Sequence, residues 1–140
     1  MATVRARTFE YAVELDGNWV AASDRGGASL PHDGDNWTPE HLLLTALCRC
    51  TMTSLDYHAR RAGLEARSKG RGRGTVTRRD EDGRFAFVAI DVDLDVELRP
   101  APSESARSEL LEGAERDCFV GASLTVAPAY RWTVNGTVVR

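Results

Sequence analysis

The chain has 140 residues, 42% of them hydrophobic and 28% charged, and a formal net charge of −3. That length suits one domain, here expected over residues 1–140, with a core large enough to need no staple. The balance excludes a disordered tract, a fibre and an obvious nucleic-acid binder. The first residues, MATVRARTFEYAVEL, lack the apolar stretch of a secretion signal, and the longest helical apolar run, Leu42–Leu47, is too short to span a bilayer, so a soluble cytoplasmic protein is expected.

Thr3 to Ser23 reads as a β-hairpin: Val4, Ala6, Thr8 and Glu10 alternate with other residues, and Asp16-Gly17 separates two strand-like runs. Asp24 to Asn36 is rich in Gly, Pro and Asp and reads as a loop. Thr38-Pro39-Glu40 then opens a helix: a capping hydroxyl, a proline suited to the first helical position, and a carboxylate at the positive end of the dipole. The helix runs to Gly63, and between Leu42 and Cys50 it is apolar nearly all round apart from Arg49, which predicts burial.

Leu64 to Arg79 is strand-like but polar, interrupted by Gly70, Gly72 and Gly74, and Asp80-Glu81-Asp82-Gly83 is a turn. Arg84 to Arg99 alternates, with Phe85, Phe87, Ala89, Asp91 and Asp93 on one side and Ala86, Val88, Ile90, Val92, Leu94 and Val96 on the other. Pro100 and Pro102 end it. Ser103 to Asp117 is a second helix, capped by Ser103 or Ser105, with Ala106, Leu110, Leu111 and Ala114 as its buried stripe and Glu104, Glu109, Glu112 and Glu115 as its wet face. Cys118 to Leu124 is a short apolar piece, and Thr125 to Val139 closes as one or two strands. Strands and helices are segregated in the order β-β-α-β-β-α-β, which is the pattern of the α+β class.

Three cysteines, Cys48, Cys50 and Cys118, are too few and too odd in number for a disulfide framework. Residues two apart on a helix point roughly 200° apart, so Cys48 and Cys50 cannot line one site, and Cys48 reads as a small hydrophobe. Cys50 and Cys118 are open to two readings, buried inert thiols or a reactive pair. The second requires the second helix to pack beside the first. His32, His41 and His58 have no ligand spacing with the cysteines; His41 and His58 read as helix-surface residues. Lys69, Arg71, Arg73, Arg78 and Arg79 read as a solvated hairpin. Trp19 and Trp37, flanking the loop, suit either a substrate wall or packing. Asn36-Trp37-Thr38 and Asn135-Gly136-Thr137 match the glycosylation pattern by chance.

The residues around the two cysteines resemble the OsmC/Ohr family of thiol peroxidases. Thr38-Pro39-Glu40-His41-Leu42-Leu43-Leu44-Thr45-Ala46-Leu47-Cys48-Arg49-Cys50-Thr51 is similar to the family's Pro-Glu, Leu-Leu-Ala-Ala and a cysteine ten residues after the glutamate. Ala114-Glu115-Arg116-Asp117-Cys118-Phe119-Val120-Gly121-Ala122-Ser123-Leu124 is similar to its Ala-Glu, Cys-Pro-Val and trailing Leu, with Phe119 in place of the proline. The resemblance implies an OsmC-like fold, antiparallel sheets around a long buried central helix, in an intertwined homodimer. It places Cys50 at the peroxide-attacking position, Cys118 at the resolving position and Glu40 at the glutamate that orients an active-site arginine. The hairpin turn Asp16-Gly17-Asn18-Trp19 carries no arginine, which leaves Arg25 as the nearest candidate. Glu40 and Cys50 lie roughly 15 Å apart along one straight helix; if both serve one site, Glu40 comes from the partner chain.

The activity so implied is reduction of organic hydroperoxides to alcohols through a Cys50 sulfenic acid and a Cys50–Cys118 disulfide. A small or protein-borne dithiol would reopen the disulfide, and no metal, organic cofactor, nucleic acid or membrane would take part. The alternative is a non-catalytic dimer of the same fold that binds a small apolar or electrophilic ligand.

Overall fold

A computed structural model describes residues 6–140, so Thr3 and Val4 of the expected hairpin lie outside the described residues. The chain divides into two units, residues 1–40 and 41–140.

The N-terminal unit holds a three-stranded antiparallel sheet of β1 (Glu14–Leu15), β2 (Val20–Ser23) and β3 (Gly26–Ser29). The turn expected at Asp16-Gly17 is there, and the Asp16 side chain builds it: its Oδ1 accepts from the Asn18 and Val20 amides at 2.8 and 3.0 Å. The strand before it is shorter than the alternation suggests, with only Glu14 and Leu15 paired to Ala22 and Ala21. Asp24–Asn36 is not all loop. Asp24-Arg25 forms a tight turn between Ser23 and Gly26, and Gly26–Ser29 pairs in register with β2. Gly26 takes a positive φ of 105°, and a side chain on Gly27 would stand 3.0 Å from the Ala21 carbonyl. The glycines that argued for a loop are thus what lets the backbone turn and close on β2.

The second unit is built on α1 (Pro39–Arg61), with Pro39 as its first residue as expected. Gly63 stops it at φ 76°, its amide donating to Arg60 and that of Leu64 to Ala59. β4 (Glu65–Arg78) and β5 (Phe85–Arg99) form a long antiparallel pair, joined through the expected Asp80–Gly83 turn. The Asp82 carboxylate receives Arg79 there at 2.6 Å. Next come α2 (Glu104–Arg116), the short α3 (Phe119–Ala122), β6 (Ala129–Val134) and β7 (Thr137–Val138). The sheet order is β4-β5-β6-β7. β6 runs parallel to β5, so this sheet is mixed rather than antiparallel, as a return through the α2–α3 connection requires. β6 and β7 meet at Asn135-Gly136, both at positive φ, the preferred sequence for a two-residue hairpin. The Asn135 side chain is spent on the Leu98 backbone, accepting from its amide at 2.9 Å and donating to its carbonyl at 3.3 Å.

The core lies on one face of this sheet. Ile90, Val92, Leu94, Val96 and Leu98 of β5 and Trp132 and Val134 of β6 pack with Leu47, Leu55 and Ala59 of α1, Leu110, Leu111 and Ala114 of α2, and Cys118. The expected face of β5 holds from Ile90 onward and fails before it. The register slips between Thr75 and Val76, so Val76 pairs with Phe87 and Val88 is skipped. Val88 therefore points to solvent and Phe87 packs on the core, the reverse of strict alternation. The opposite face carries cross-strand charges, Arg71 beside Asp93 and Lys69 beside Asp95, which explains why β4 reads as polar.

The glycines of β4 explain how α1 sits. Gly70, Gly72 and Gly74 share one face of the strand, and side chains added there would meet Cys48 and Met52, Cys48 and Leu44, and Phe87 and Leu44 respectively. Leu44, Cys48 and Met52 follow a four-residue step down one side of α1 and rest on the glycine stripe. The helix is not buried all round, however. Thr45, Ala46, Arg49 and Thr53 remain exposed, because the sheet and the α2–α3 segment cover two sides of it. In α2, Ser103 is the cap, accepting from the Ala106 amide at 3.2 Å. Ala106 is exposed and Gly113 takes a buried place instead, while Glu115 leaves the wet face to meet Arg140 at 2.9 Å.

Candidate functional site

α2 lays the chain beside α1 so that Cys118, just past its end, stands against the middle of the central helix. The side chains of Cys50 and Cys118 lie close enough for each thiol to feel the other's charge, and the Cys50 sulfur also meets the backbone of Val120 and Phe119. The two thiols differ in access. Cys118 is fully buried, whereas Cys50 is partly exposed. Burial pushes the Cys50 thiol above its ordinary value, Cys118 adds to the rise, and the Val120 and Phe119 backbone contacts oppose it.

Cys118 rests in a small polar cradle. The Gly121 amide donates to its sulfur at 3.4 Å, and Thr51 Oγ1, buried on α1, lies 3.4 Å from it. Thr51 Oγ1 also lies 3.0 Å from the Leu47 carbonyl and 3.2 Å from the Tyr130 hydroxyl. A hydroxyl has one proton to give. When Thr51 donates back to Leu47, Tyr130 can donate to Thr51; when Thr51 turns to the sulfur, the carbonyl gives it up. Tyr130, on β6, is close enough to Cys118 to feel its charge, and burial pushes its phenol up to about 12, so near neutrality it keeps a proton to donate. Gly121 borders this cluster, since a side chain there would stand 3.4 Å from both the Cys118 sulfur and the Tyr130 oxygen.

A second polar link fixes the same segment. His58 Nε2 lies 2.7 Å from Asp117 Oδ2, so the residue before Cys118 is tied to α1 two turns beyond Cys50. The His58 ring fills the space over Gly113, where a side chain would come within 3.1 Å of it. His58 is therefore no free surface residue. Asp117 is held below the usual carboxylate range, first by its hydrogen bond from Arg116 and further by His58, against the opposing effect of burial.

Of the residues singled out in the sequence, Cys50 and Cys118 are brought together and Cys48 is turned away onto the β4 glycines. Burial raises the Cys48 thiol as well. Glu40 is exposed in the first turn of α1, and Arg25 is exposed in the β2–β3 turn. Trp19 stacks on His32, with ring centroids 4.2 Å apart, and Trp37 is exposed. Thr51 and Tyr130 beside Cys118, and His58 on Asp117, have no counterpart among the residues singled out in the sequence. A signal existed for Tyr130: with Trp132 and Val134 it occupies every second place of β6, and a phenol on an inward face needs a hydrogen-bonding partner. Among the described residues no three His, Cys, Asp or Glu side chains converge as a metal site would need. No helix among them is long and apolar enough to cross a membrane. The surface depressions along Lys69, Arg71, Asp93, Asp95 and Arg131 lie between charged side chains on the outer face of the sheet, away from the thiols.

Comparison with solved structures gives close agreement in fold at low sequence identity. An OsmC-like protein from Mycoplasma pneumoniae is 16% identical, with 93% of this chain and 99% of that one covered and a TM-score of 0.74. An OsmC-like protein of unknown function from Vibrio cholerae is 14% identical, with 89% and 99% covered and a TM-score of 0.72. The organic hydroperoxide resistance protein of Bacillus subtilis is 21% identical, with 91% and 98% covered and a TM-score of 0.60. No curated protein sequence matches the chain. The profile of the OsmC-like protein family matches residues 32–133, which span α1, the mixed sheet and both cysteine segments. The chain belongs to the OsmC-like family.

Proposed function

We propose that this protein is a thiol peroxidase that reduces organic hydroperoxides to alcohols. The supporting observation is that Cys50 and Cys118, far apart in sequence, are brought close enough in the fold for the two thiols to interact. The Cys50 thiolate attacks the distal oxygen of the hydroperoxide; the O–O bond breaks, the alcohol leaves after taking a proton, and Cys50 becomes a sulfenic acid. Cys118 attacks that sulfur, water leaves, and a Cys50–Cys118 disulfide forms. A dithiol then returns two electrons. Several solved structures of this fold are named for organic hydroperoxide resistance, which favours this substrate class.

The thiolate needs support. Burial disfavours it, and the middle of a long helix receives little from the dipole. The Val120 and Phe119 backbone contacts supply part of that support. We assign the rest to a cation of the assembled protein, with Arg25 as the candidate and Glu40 as its orienting carboxylate, in an intertwined homodimer whose partner chain supplies the glutamate. The deciding assay follows loss of cumene hydroperoxide in the presence of dithiothreitol. Wild type consumes it and Cys50→Ser does not, and Cys118→Ser accumulates a sulfenic acid that dimedone traps. A wild type no faster than Cys50→Ser eliminates the enzyme and leaves a ligand-binding dimer.

A further inference from the structure

The two thiols are unequal in ways the peroxide-reducing half of the cycle does not use. We propose that the external reductant attacks the disulfide only at Cys50, and that Cys118 is the leaving thiolate, held by hydrogen bonds from Gly121, Thr51 and Tyr130. This rests on the two-cysteine reading above and extends it to the reductive half.

The first part follows from access. Cys118 is fully buried beneath Cys50, which is partly exposed. An incoming thiolate must approach the sulfur it attacks from the side opposite the bond it breaks, and of the two residues only Cys50 is partly exposed. The second part follows from the cradle. A disulfide opens faster when the departing sulfur is the better thiolate, and donors aimed at a sulfur favour its charged form. Gly121 already donates to Cys118. Thr51, 3.4 Å from the sulfur, can turn its proton to it from the Leu47 carbonyl, and Tyr130, 3.2 Å from Thr51 and electrostatically coupled to Cys118, can follow. In the neutral thiol state these protons have other acceptors. The cradle therefore tightens as charge develops on Cys118, which is what lowers a barrier rather than a ground state. The helix that carries the attacking cysteine thus supplies, one residue later, a donor to its departing partner.

The step balances. A reductant thiolate bonds to Cys50 Sγ while the Cys50–Cys118 bond breaks and Cys118 takes the electron pair. Cys118 later takes a proton from solvent, since Tyr130 holds its own too firmly to transfer it. The second thiol of the reductant, as thiolate, then attacks the sulfur bound to Cys50, releasing reduced Cys50 and a cyclic disulfide.

The test begins from disulfide made with diamide, so it does not depend on peroxidase activity. Oxidised wild type is mixed with excess glutathione, quenched in acid and mapped by mass spectrometry. The mixed disulfide is expected on Cys50; an adduct on Cys118 overturns the proposal. Opening by dithiothreitol is then followed by stopped flow. Tyr130→Phe is expected to slow it about tenfold and Thr51→Val by a similar factor, the loss of one hydrogen bond to a charged group. The ultraviolet absorbance of the transient Cys118 thiolate should be shorter-lived in both. Opening at the wild-type rate in both variants overturns the leaving-group role, as does failure of diamide to join Cys50 to Cys118. A protein whose disulfide opens as described but which consumes no hydroperoxide refutes the peroxidase reading and leaves this one standing.

Discussion

The two sides of α1 bury sulfur in opposite ways. Toward β4 the helix presents Leu44, Cys48 and Met52 to a stripe of glycines, and the contact is apolar and close, a Cβ at Gly72 standing 3.1 Å from the Cys48 sulfur. Toward α2 and α3 it presents Cys50, Thr51 and His58, each of which meets a polar group of the returning chain. Cys48 on the first side packs on the glycines and, beyond burial, feels only the charge of Cys118. On the second, the polar contacts gather around Cys118 and Asp117. A buried thiol among apolar atoms has nothing to favour its charged form, whereas donors beside a sulfur do favour it. The dry side fixes the helix against the sheet; the wet side fixes what the helix carries.

Gly72→Val strikes the dry side and should have the largest effect. The new Cβ would stand 3.1 Å from Cys48 Sγ and 3.5 Å from Leu44 Cβ, and the branches would add to the crowding. Overpacking of this kind costs about 3 kcal/mol, seen as a lowered denaturation midpoint in urea. Adding Cys48→Ala removes the nearest clashing atom, so the double variant should recover about a third of the loss. Equal midpoints for single and double variants would show that the helix does not rest on this stripe.

The same contrast governs what could be seen in the sequence. The helix from Pro39 to Gly63, the turn at Asp80–Gly83 and the cap at Ser103 are local events, written in proline, glycine and hydroxyl residues at fixed places. The two cysteine segments were legible through family resemblance, not through periodicity. What escaped was non-local. The bulge that exchanges Phe87 for Val88 depends on a register between strands, and β3 exists because β2 is there to receive it. Thr51 beside Cys118 and His58 beside Asp117 join residues far apart in sequence, so no window along the chain contains them. The β4 glycines looked like interruptions because their partner is a helix face and not a neighbour in sequence.

Alkylation against pH separates the thiols next. Burial raises both Cys48 and Cys50. If Arg25 serves Cys50, that thiol alone should come down, giving an inflection below that of an ordinary cysteine while Cys48 stays above it. Arg25→Gln should move the Cys50 inflection upward by about one pH unit or more, the usual effect of a lost neighbouring charge, and cut its reaction with iodoacetamide at neutral pH about tenfold. An inflection unmoved in Arg25→Gln removes this arginine from the site.

His58→Leu tests the wet side away from the sulfur itself. Asp117 keeps its two hydrogen bonds from Arg116, so it is not left bare, and its carboxylate is partly exposed. The expected loss is about 1 kcal/mol in a urea midpoint. His58→Gln, which can still donate to Asp117, should recover part of it. The disulfide should form more slowly in His58→Leu, because the segment that carries Cys118 is then less firmly tied to α1. Unchanged closure with lowered stability would make His58 a packing residue only.

Cys48→Ala carries the smallest expected effect and the sharpest contrast. Its sulfur touches the glycine stripe and belongs to the partly buried rim of the core. Removing it leaves a small gap that neighbouring Leu44 and Met52 can share, so the cost should stay below about 1 kcal/mol. Cys48 lies two residues before Cys50 and faces another way, so hydroperoxide consumption and closure of the Cys50–Cys118 disulfide should match wild type. The comparison of the helix's two sides rests on that result. A turnover that fell with Cys48 intact in fold but absent in sulfur would mean that the third thiol exchanges with the pair, and that the dry side is not chemically silent.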